Sequence, residues 1–229
     1  MIQLVLAFVA GLADLVGGIL PFHPRFKSID IRYLVGFASG TVIAAAFFEM
    51  LPEADLGANA PFLLMGFFTF YILEKGVMLH SCEGRECEAH TFGWVAVIGM
   101  MSDNIVDGMG IAVGYATDPL LGLAITVAVV AHELPQGITT TIIMEKAGFG
   151  RRRIIPVLIA QGLFYPIGAA ASVLVPEDLY LAMIAFVAGD FLYIGAGDLL
   201  PEVHKRFNLR VIASVFLGAV MMLVLEAVA

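Results

Sequence analysis

The sequence has little charge. Asp, Glu, Lys and Arg make up 14% of its 229 residues, whereas a soluble domain carries about 25%. There is no cluster of basic residues away from the edges of its apolar segments, which argues against a nucleic-acid partner. It also lacks a glycine-rich nucleotide-binding loop, so we do not expect ATP to drive its activity. Its apolar runs do not alternate as strands do, which excludes a β-barrel.

Hydrophobic residues, in contrast, make up 60% of the chain, and the mean hydropathy is +0.95. This composition indicates an all-α polytopic membrane protein, and the length allows about eight spans of roughly 20 residues. We expect one transmembrane domain over 1–229. The predicted helices cover about 2–20, 31–52, 61–80, 91–116, 120–144, 153–175, 179–200 and 210–228.

The basic residues predict how the chain is oriented. All 12 Lys and Arg residues fall in or beside the connections 1–2, 3–4, 5–6 and 7–8. The other connections carry only acidic residues. By the positive-inside rule the basic connections face the cytoplasm, so both termini lie outside the cell (inner or plasma) membrane. The first apolar segment has no basic n-region, so we interpret it as a helix rather than a signal peptide.

Two polar motifs interrupt consecutive apolar segments, DNIVDG at 103–108 and HELPQG at 132–137. An ionisable side chain at the centre of a bilayer costs at least about 2.5–3.5 kcal/mol. Several such groups therefore need a compensating partner, and a bound cation is the simplest one. Residues four apart share a helix face, so each motif presents a polar stripe. The candidate metal ligands are Asp103, Asn104, Asp107, His132, Glu133 and Gln136.

Two other interpretations of these motifs stay open. The polar residues could form interhelical hydrogen bonds without a metal, with a protonated acid bonded to His132. The His-Glu pair also opens the metalloprotease pattern, which would make the chain an intramembrane metallohydrolase. That pattern needs a second His where Gln136 stands, and Pro135 disturbs the helix that it requires. We therefore do not expect this protein to be an enzyme.

The sequence also contains an inverted repeat. The spacing from Gly40 to Leu-Pro-Glu at 51–53 equals that from Gly189 to Leu-Pro-Glu at 200–202. The two central motifs align with each other at a constant offset, and Asp14 in the first helix takes the place of Tyr165 in the sixth. These matches predict a 3+2+3 arrangement, which is typical of secondary transporters. Asp14 and Asp190 lie deep in their helices.

With these motifs the whole chain resembles the ZIP (Zrt-/Irt-like) family of divalent metal transporters. The resemblance implies transport of zinc, iron, manganese or a related cation towards the cytoplasm, through a site between the fourth and fifth helices. It also implies a moving unit of helices 1, 4, 5 and 6, a scaffold of helices 2, 3, 7 and 8, and a homodimer. Besides the central motifs, it rests on 10–12, 37–40, 51–54, 161–163, 166–168, 188–193 and 200–202.

The chain departs from the family pattern at four positions. Asp103 occupies a position at which many relatives have His. At three further positions this chain lacks a Glu that many relatives have. Without those bridging acids, we expect one metal ion rather than two. Oxygen ligands with one imidazole suit Mn, Fe, Co, Zn or Cd, and the lack of a thiolate argues against Cu(I). The three positions that lack Glu are Asp107, Gln136 and Tyr165.

The predicted cytoplasmic loop at 81–90 holds both cysteines of the chain, flanked by histidines. Two thiols and two imidazoles could hold zinc tetrahedrally; alternatively, the segment is a flexible polar loop. A metal-binding loop leaves open a non-transporting membrane receptor that reports metal. The residues concerned are His80, Cys82, Cys87 and His90.

Overall fold

The computed structural model describes residues 1–28, 30–81, 89–204 and 208–228. Within these ranges the chain forms eight long helices and no strand, so the predicted all-α class is confirmed. The helices are α1 (Ile2–Ile19), α2 (Arg32–Glu53), α3 (Leu56–Ser81), α4 (Ala89–Thr117), α5 (Pro119–Lys146), α6 (Arg151–Ala171), α7 (Tyr180–Leu192, continuing to residue 204) and α8 (Leu209–Val228).

Several of these helices suit a membrane. In the described part of the chain, six are long and apolar enough to span one, and α8 contributes the shorter apolar stretch Leu209–Leu225. Large apolar side chains point outwards, such as Leu64 and Phe216, which are 58% and 67% exposed. Because lipid offers no hydrogen bonds to the backbone, helices with apolar outer faces are a stable solution there. The protein is a multi-pass membrane protein.

Helix α3 begins at Leu56, earlier than the predicted start at 61, and Pro61 lies inside it. The turn before it is short, because Asp55 adopts a left-handed conformation with φ 43°. The carbonyl of Asp55 then accepts hydrogen bonds from the amides of Ala58 and Asn59. The Cys/His loop was predicted at 81–90, but Ser81 ends α3 and α4 begins at Ala89. Residues 82–88, with both cysteines, and the side chains of His80 and His90 lie outside the described part of the chain.

Helices α2 and α7 share a local irregularity. Each changes to π-helical geometry, at Ala45–Met50 in α2 and Tyr193–Leu199 in α7. Each π-helical turn ends directly before a Leu-Pro-Glu sequence. Since proline has no N–H to donate, the regular backbone hydrogen-bond pattern is interrupted directly after each π-helical turn. The two turns lie at corresponding places in the two halves of the chain.

The helices pack in pairs that correspond between the two halves. Helix α1 packs against α5 and α6, and α4 packs against α5 and α6; α2 packs against α8, and α3 against α7. A Cβ atom at Gly137 would collide with the carbonyl oxygen of Asp14, and one at Gly108 with that of Tyr165. These two contacts are equivalent under the predicted inverted repeat. The 3+2+3 arrangement itself stays a prediction.

Candidate metal centre

Helices α4 and α5 bring four of the six candidate ligands together near their midpoints. Each of the four offers one ligand atom, and these atoms all lie within 4.8 Å of one another. None of the four side chains is more than 7% exposed. The pairs at i and i+4 on α4 and at i and i+1 on α5 therefore meet as the motifs predict. The cluster consists of Asp103, Asp107, His132 and Glu133.

The imidazole of His132 is held at both nitrogens. Its Nδ1 lies 3.1 Å from the carbonyl oxygen of Ala128, one turn earlier on α5. Its Nε2 lies 3.2 Å from Oδ2 of Asp107 on α4 and 3.0 Å from Oε1 of Glu133. A carbonyl can only accept, so Nδ1 carries the proton that it donates to Ala128. Nε2 is then the nitrogen that faces the carboxylates.

Several carboxylate oxygens of the cluster have no donor. Among the described residues, Oδ1 of Asp103, Oδ1 of Asp107 and Oε2 of Glu133 are buried without a hydrogen-bond partner, whereas Oε1 of Glu133 lies 3.0 Å from Nε2 of His132. No lysine or arginine side chain is buried in the described part of the chain. Buried charges are normally paired or bound to a metal, and the nearby imidazole can supply at most one positive charge. With its three acids ionised, the cluster would therefore carry an excess of negative charge.

The other two predicted ligands lie beside the cluster and bind each other. Nε2 of Gln136 donates to Oδ1 of Asn104 at 2.8 Å. Nδ2 of Asn104 donates to the backbone carbonyl of Gln161 on α6 at 3.2 Å. The side chain of Gln161 in turn donates to Oγ1 of Thr140 at 3.4 Å. These bonds connect α4, α5 and α6, so both amides have a structural role in the described conformation.

Three further polar side chains surround the cluster, and all are fully buried: Asp14 of α1, Tyr165 of α6 and Asp190 of α7. Among the described residues, the carboxyl group of Asp14 has no hydrogen-bond partner, and that of Asp190 contacts Asp103. Asp14 and Tyr165 lie on the side of Glu133, and Asp190 lies next to Asp103. The depth of Asp14 and Asp190 in their helices was visible in the sequence. Their position around one centre was not, since it depends on how distant helices pack.

Comparison with known proteins identifies the family. Residues 79–226 match the family model described as ZIP zinc transporter. The chain is 25% identical to the zinc transporter ZIP13 of Pongo abelii, over 77% of this chain and 60% of that protein. It is also 25% identical to the zinc transporter ZIPB of Bordetella bronchiseptica, over 76% of this chain and 63% of that protein.

A shorter match is to the metal cation symporter ZIP8 of Rattus norvegicus, 26% identical over 54% of this chain and 27% of that protein. The chain thus spans about three fifths of the length of ZIP13 and ZIPB. The family model covers well over half of the chain, and it includes both central motifs. The chain therefore belongs to the ZIP zinc transporter family, which confirms the resemblance seen in its motifs.

Proposed function

We propose that this protein transports a divalent metal ion across the membrane and binds it in the cluster between α4 and α5. The observation that carries the proposal is the position of Nε2 of His132. It lies within 3.2 Å of carboxylate oxygens from both helices, while Nδ1 is held by a backbone carbonyl. Metal-binding histidines are commonly oriented in this way by the nitrogen that does not bind the metal.

Electrostatics favours a cation at this point. Three acids in the cluster face one imidazole, and several of their oxygens have no donor among the described residues. One divalent ion would offset most of this negative charge. Carboxylates with a single imidazole suit Zn, Cd, Fe or Mn. One ion in the four-residue cluster is the stoichiometry that we propose, with Asp103, Asp107, His132 and Glu133 as ligands.

We propose that Asn104 and Gln136 complete the site when an ion is present. In the described conformation Oδ1 of Asn104 is taken by the amide of Gln136. Rotation of either side chain would free an amide oxygen, which is a suitable ligand for a hard cation. The pair lies on α4 and α5, next to the cluster, and so could receive the ion as it arrives or leaves.

For the molecule as a whole we propose import towards the cytoplasm through a single domain spanning 1–229, in the inner or plasma membrane. The distribution of basic residues supports termini on the outer side. The packing supports a moving unit and a scaffold. In the first group α1 and α4 each pack against α5 and α6, and in the second α2 packs against α8 and α3 against α7. The first group would carry the ion past the second. A homodimer is part of the proposal.

Uptake into proteoliposomes tests this function. We expect the wild-type protein to accumulate Zn²⁺, Cd²⁺ or Mn²⁺ down an imposed gradient. The double variant His132→Ala/Asp107→Ala should accumulate none, because it lacks the only imidazole and one acid of the cluster. Asp178→Asn serves as the control, since Asp178 is an exposed residue outside the cluster. Equal uptake by the double variant and the wild type would contradict the proposal. Binding without uptake would indicate a receptor.

A further inference from the structure

Asp190 is a buried acid whose neighbour is another acid. Its side chain is fully buried, and its carboxyl group contacts that of Asp103, so that the two can share a proton when no metal is bound. It lies next to Asp103 of the cluster and close to Asp107 and His132. An acid in this environment is unfavourable unless something positive is shared with its neighbours. The nearest candidate is the cation proposed for the cluster.

Helix α7 lies close to the cluster. It packs mainly against α3 and α2, and it also meets α4. One turn away from Asp190, a Cβ atom at Gly110 of α4 would come within 2.9 Å of Cγ1 of Val187, so glycine allows the two helices to lie close together. Beside Asp190, the ring of Phe191 packs edge-on against the imidazole of His132, with 5.8 Å between ring centroids. The position of α7 is therefore coupled to the cluster at two consecutive residues.

The number of ligands decides which ions would use Asp190. Four ligand atoms already lie within 4.8 Å of one another in the cluster, and Zn²⁺ in proteins is usually four-coordinate. Mn²⁺ prefers six ligands, mostly oxygen. A tetrahedral ion is therefore satisfied by α4 and α5 alone. An octahedral ion needs two further oxygens, and the carboxyl group of Asp190, next to Asp103, can supply one in addition to the amides of Asn104 and Gln136.

We propose that Asp190 is a further metal ligand, supplied by α7, that serves cations preferring more than four ligands. This inference rests on the proposed function, because it assumes an ion in the cluster. It makes Asp190 a residue that determines metal preference. It also means that a six-coordinate ion joins α7 to α4 and α5, whereas a four-coordinate ion leaves α7 without a bond to the metal.

Titration of the purified full-length protein with MnCl₂ and with ZnCl₂ tests this inference. We expect Asp190→Asn to weaken Mn²⁺ binding by about tenfold more than Zn²⁺ binding, the size typical of losing one supporting group at a metal site. Asp178→Asn, which removes an exposed acid from the turn before α7, should leave both affinities unchanged. A merely structural role would weaken both metals equally. Equal losses, or no loss, would overturn the inference.

A second experiment and the wild-type control separate failure of the role of Asp190 from failure of the proposed function. If Asp190→Asn does not yield folded protein, a crystal structure of the Mn²⁺-loaded wild type still tests the inference: a carboxylate oxygen of Asp190 bonded to the ion supports it. A bound Mn²⁺ without Asp190 among its ligands overturns it. A wild-type protein that binds neither metal contradicts the proposed function itself. A wild-type protein that binds both, with an unchanged preference in Asp190→Asn, contradicts only the role of Asp190.

Discussion

At the scale of single residues, the centre depends on the imidazole of His132. The carbonyl of Ala128 accepts from Nδ1, so the ring is fixed with Nε2 towards Asp107 and Glu133. In the absence of metal, a proton on Nε2 would be shared in hydrogen bonds with the carboxylates of Asp107 and Glu133. A metal ion in the same position needs the free lone pair, so it must displace that proton.

Metal binding should therefore release protons. Calorimetric titrations with Zn²⁺ in buffers of different ionisation enthalpy would measure the number released. We expect the apparent binding enthalpy of the wild type to vary linearly with the buffer's ionisation enthalpy. Any metal binding that persists in His132→Ala should show a smaller slope. A wild-type enthalpy independent of the buffer would show that Nε2 carries no proton to displace.

Glu133 contributes charge to the cluster, and its replacement separates transport from hydrolysis. Glu133→Gln keeps the shape of the side chain but removes one negative charge from the buried cluster. We expect metal affinity to fall by about 10-fold to 100-fold, while uptake at saturating metal persists at a reduced rate. Glu177→Gln, at an exposed position in the short 3-10 helix Glu177–Leu179, should not change either quantity. Unchanged affinity in Glu133→Gln would exclude this residue as a ligand.

Residue spacing was sufficient to predict the four-residue cluster, because positions four apart must share a helix face. It was not sufficient for the amides. Asn104 and Gln136 have the right chemistry for ligands, and equally for a hydrogen bond to each other, which they form at 2.8 Å. The approach of Asp190 depends on how α7 packs against α4. That packing depends on contacts between segments far apart in the sequence.

At the scale of helices, α1 and α5 approach so closely that no side chain fits between them at Gly137. A Cβ atom there would collide with the backbone carbonyl of Asp14 and lie 2.6 Å from the amide nitrogen of Gly18. Backbone atoms cannot move aside cheaply, so the helices themselves would have to separate. Since Gly137 ends the second polar motif, such a shift would also displace the cluster.

Gly137→Ala should therefore lower stability by about 1–3 kcal/mol and weaken metal binding. The measurement is the thermal unfolding temperature of the purified protein in detergent, with and without Zn²⁺. Gly150→Ala is the matched control, because a Cβ atom at Gly150 meets nothing within 4 Å. Equal unfolding temperatures for the two variants would show that α1 and α5 are not closely packed at this point.

The helices themselves were largely predictable from long apolar runs, with ends that differ by a few residues. The π-helical turns at Ala45–Met50 and Tyr193–Leu199 were not predicted. Hydrophobic periodicity does not distinguish a continuous helix from one with a single wider turn. In both helices the proline of Leu-Pro-Glu was the available signal, since it removes a backbone donor just after the turn.

At the scale of the whole molecule, the distribution of basic residues predicts that both termini lie outside. The two native cysteines give a direct test, since Cys82 and Cys87 both fall in a connection predicted to be cytoplasmic. A membrane-impermeant maleimide should fail to label them in intact cells and should label them after permeabilisation. As the control, Asp178→Cys in a Cys82→Ser/Cys87→Ser background should be labelled from outside. The reverse pattern would invert the proposed direction of transport.

The proposed transport function depends on a cation held between α4 and α5. The most direct measurement is anomalous scattering from crystals of the full-length protein soaked in Zn²⁺, Cd²⁺ or Mn²⁺. We expect one strong peak among Asp103, Asp107, His132 and Glu133, at about 2.0–2.2 Å from the ligand atoms for Zn²⁺. Soaked crystals with no anomalous peak among these four residues would contradict the account.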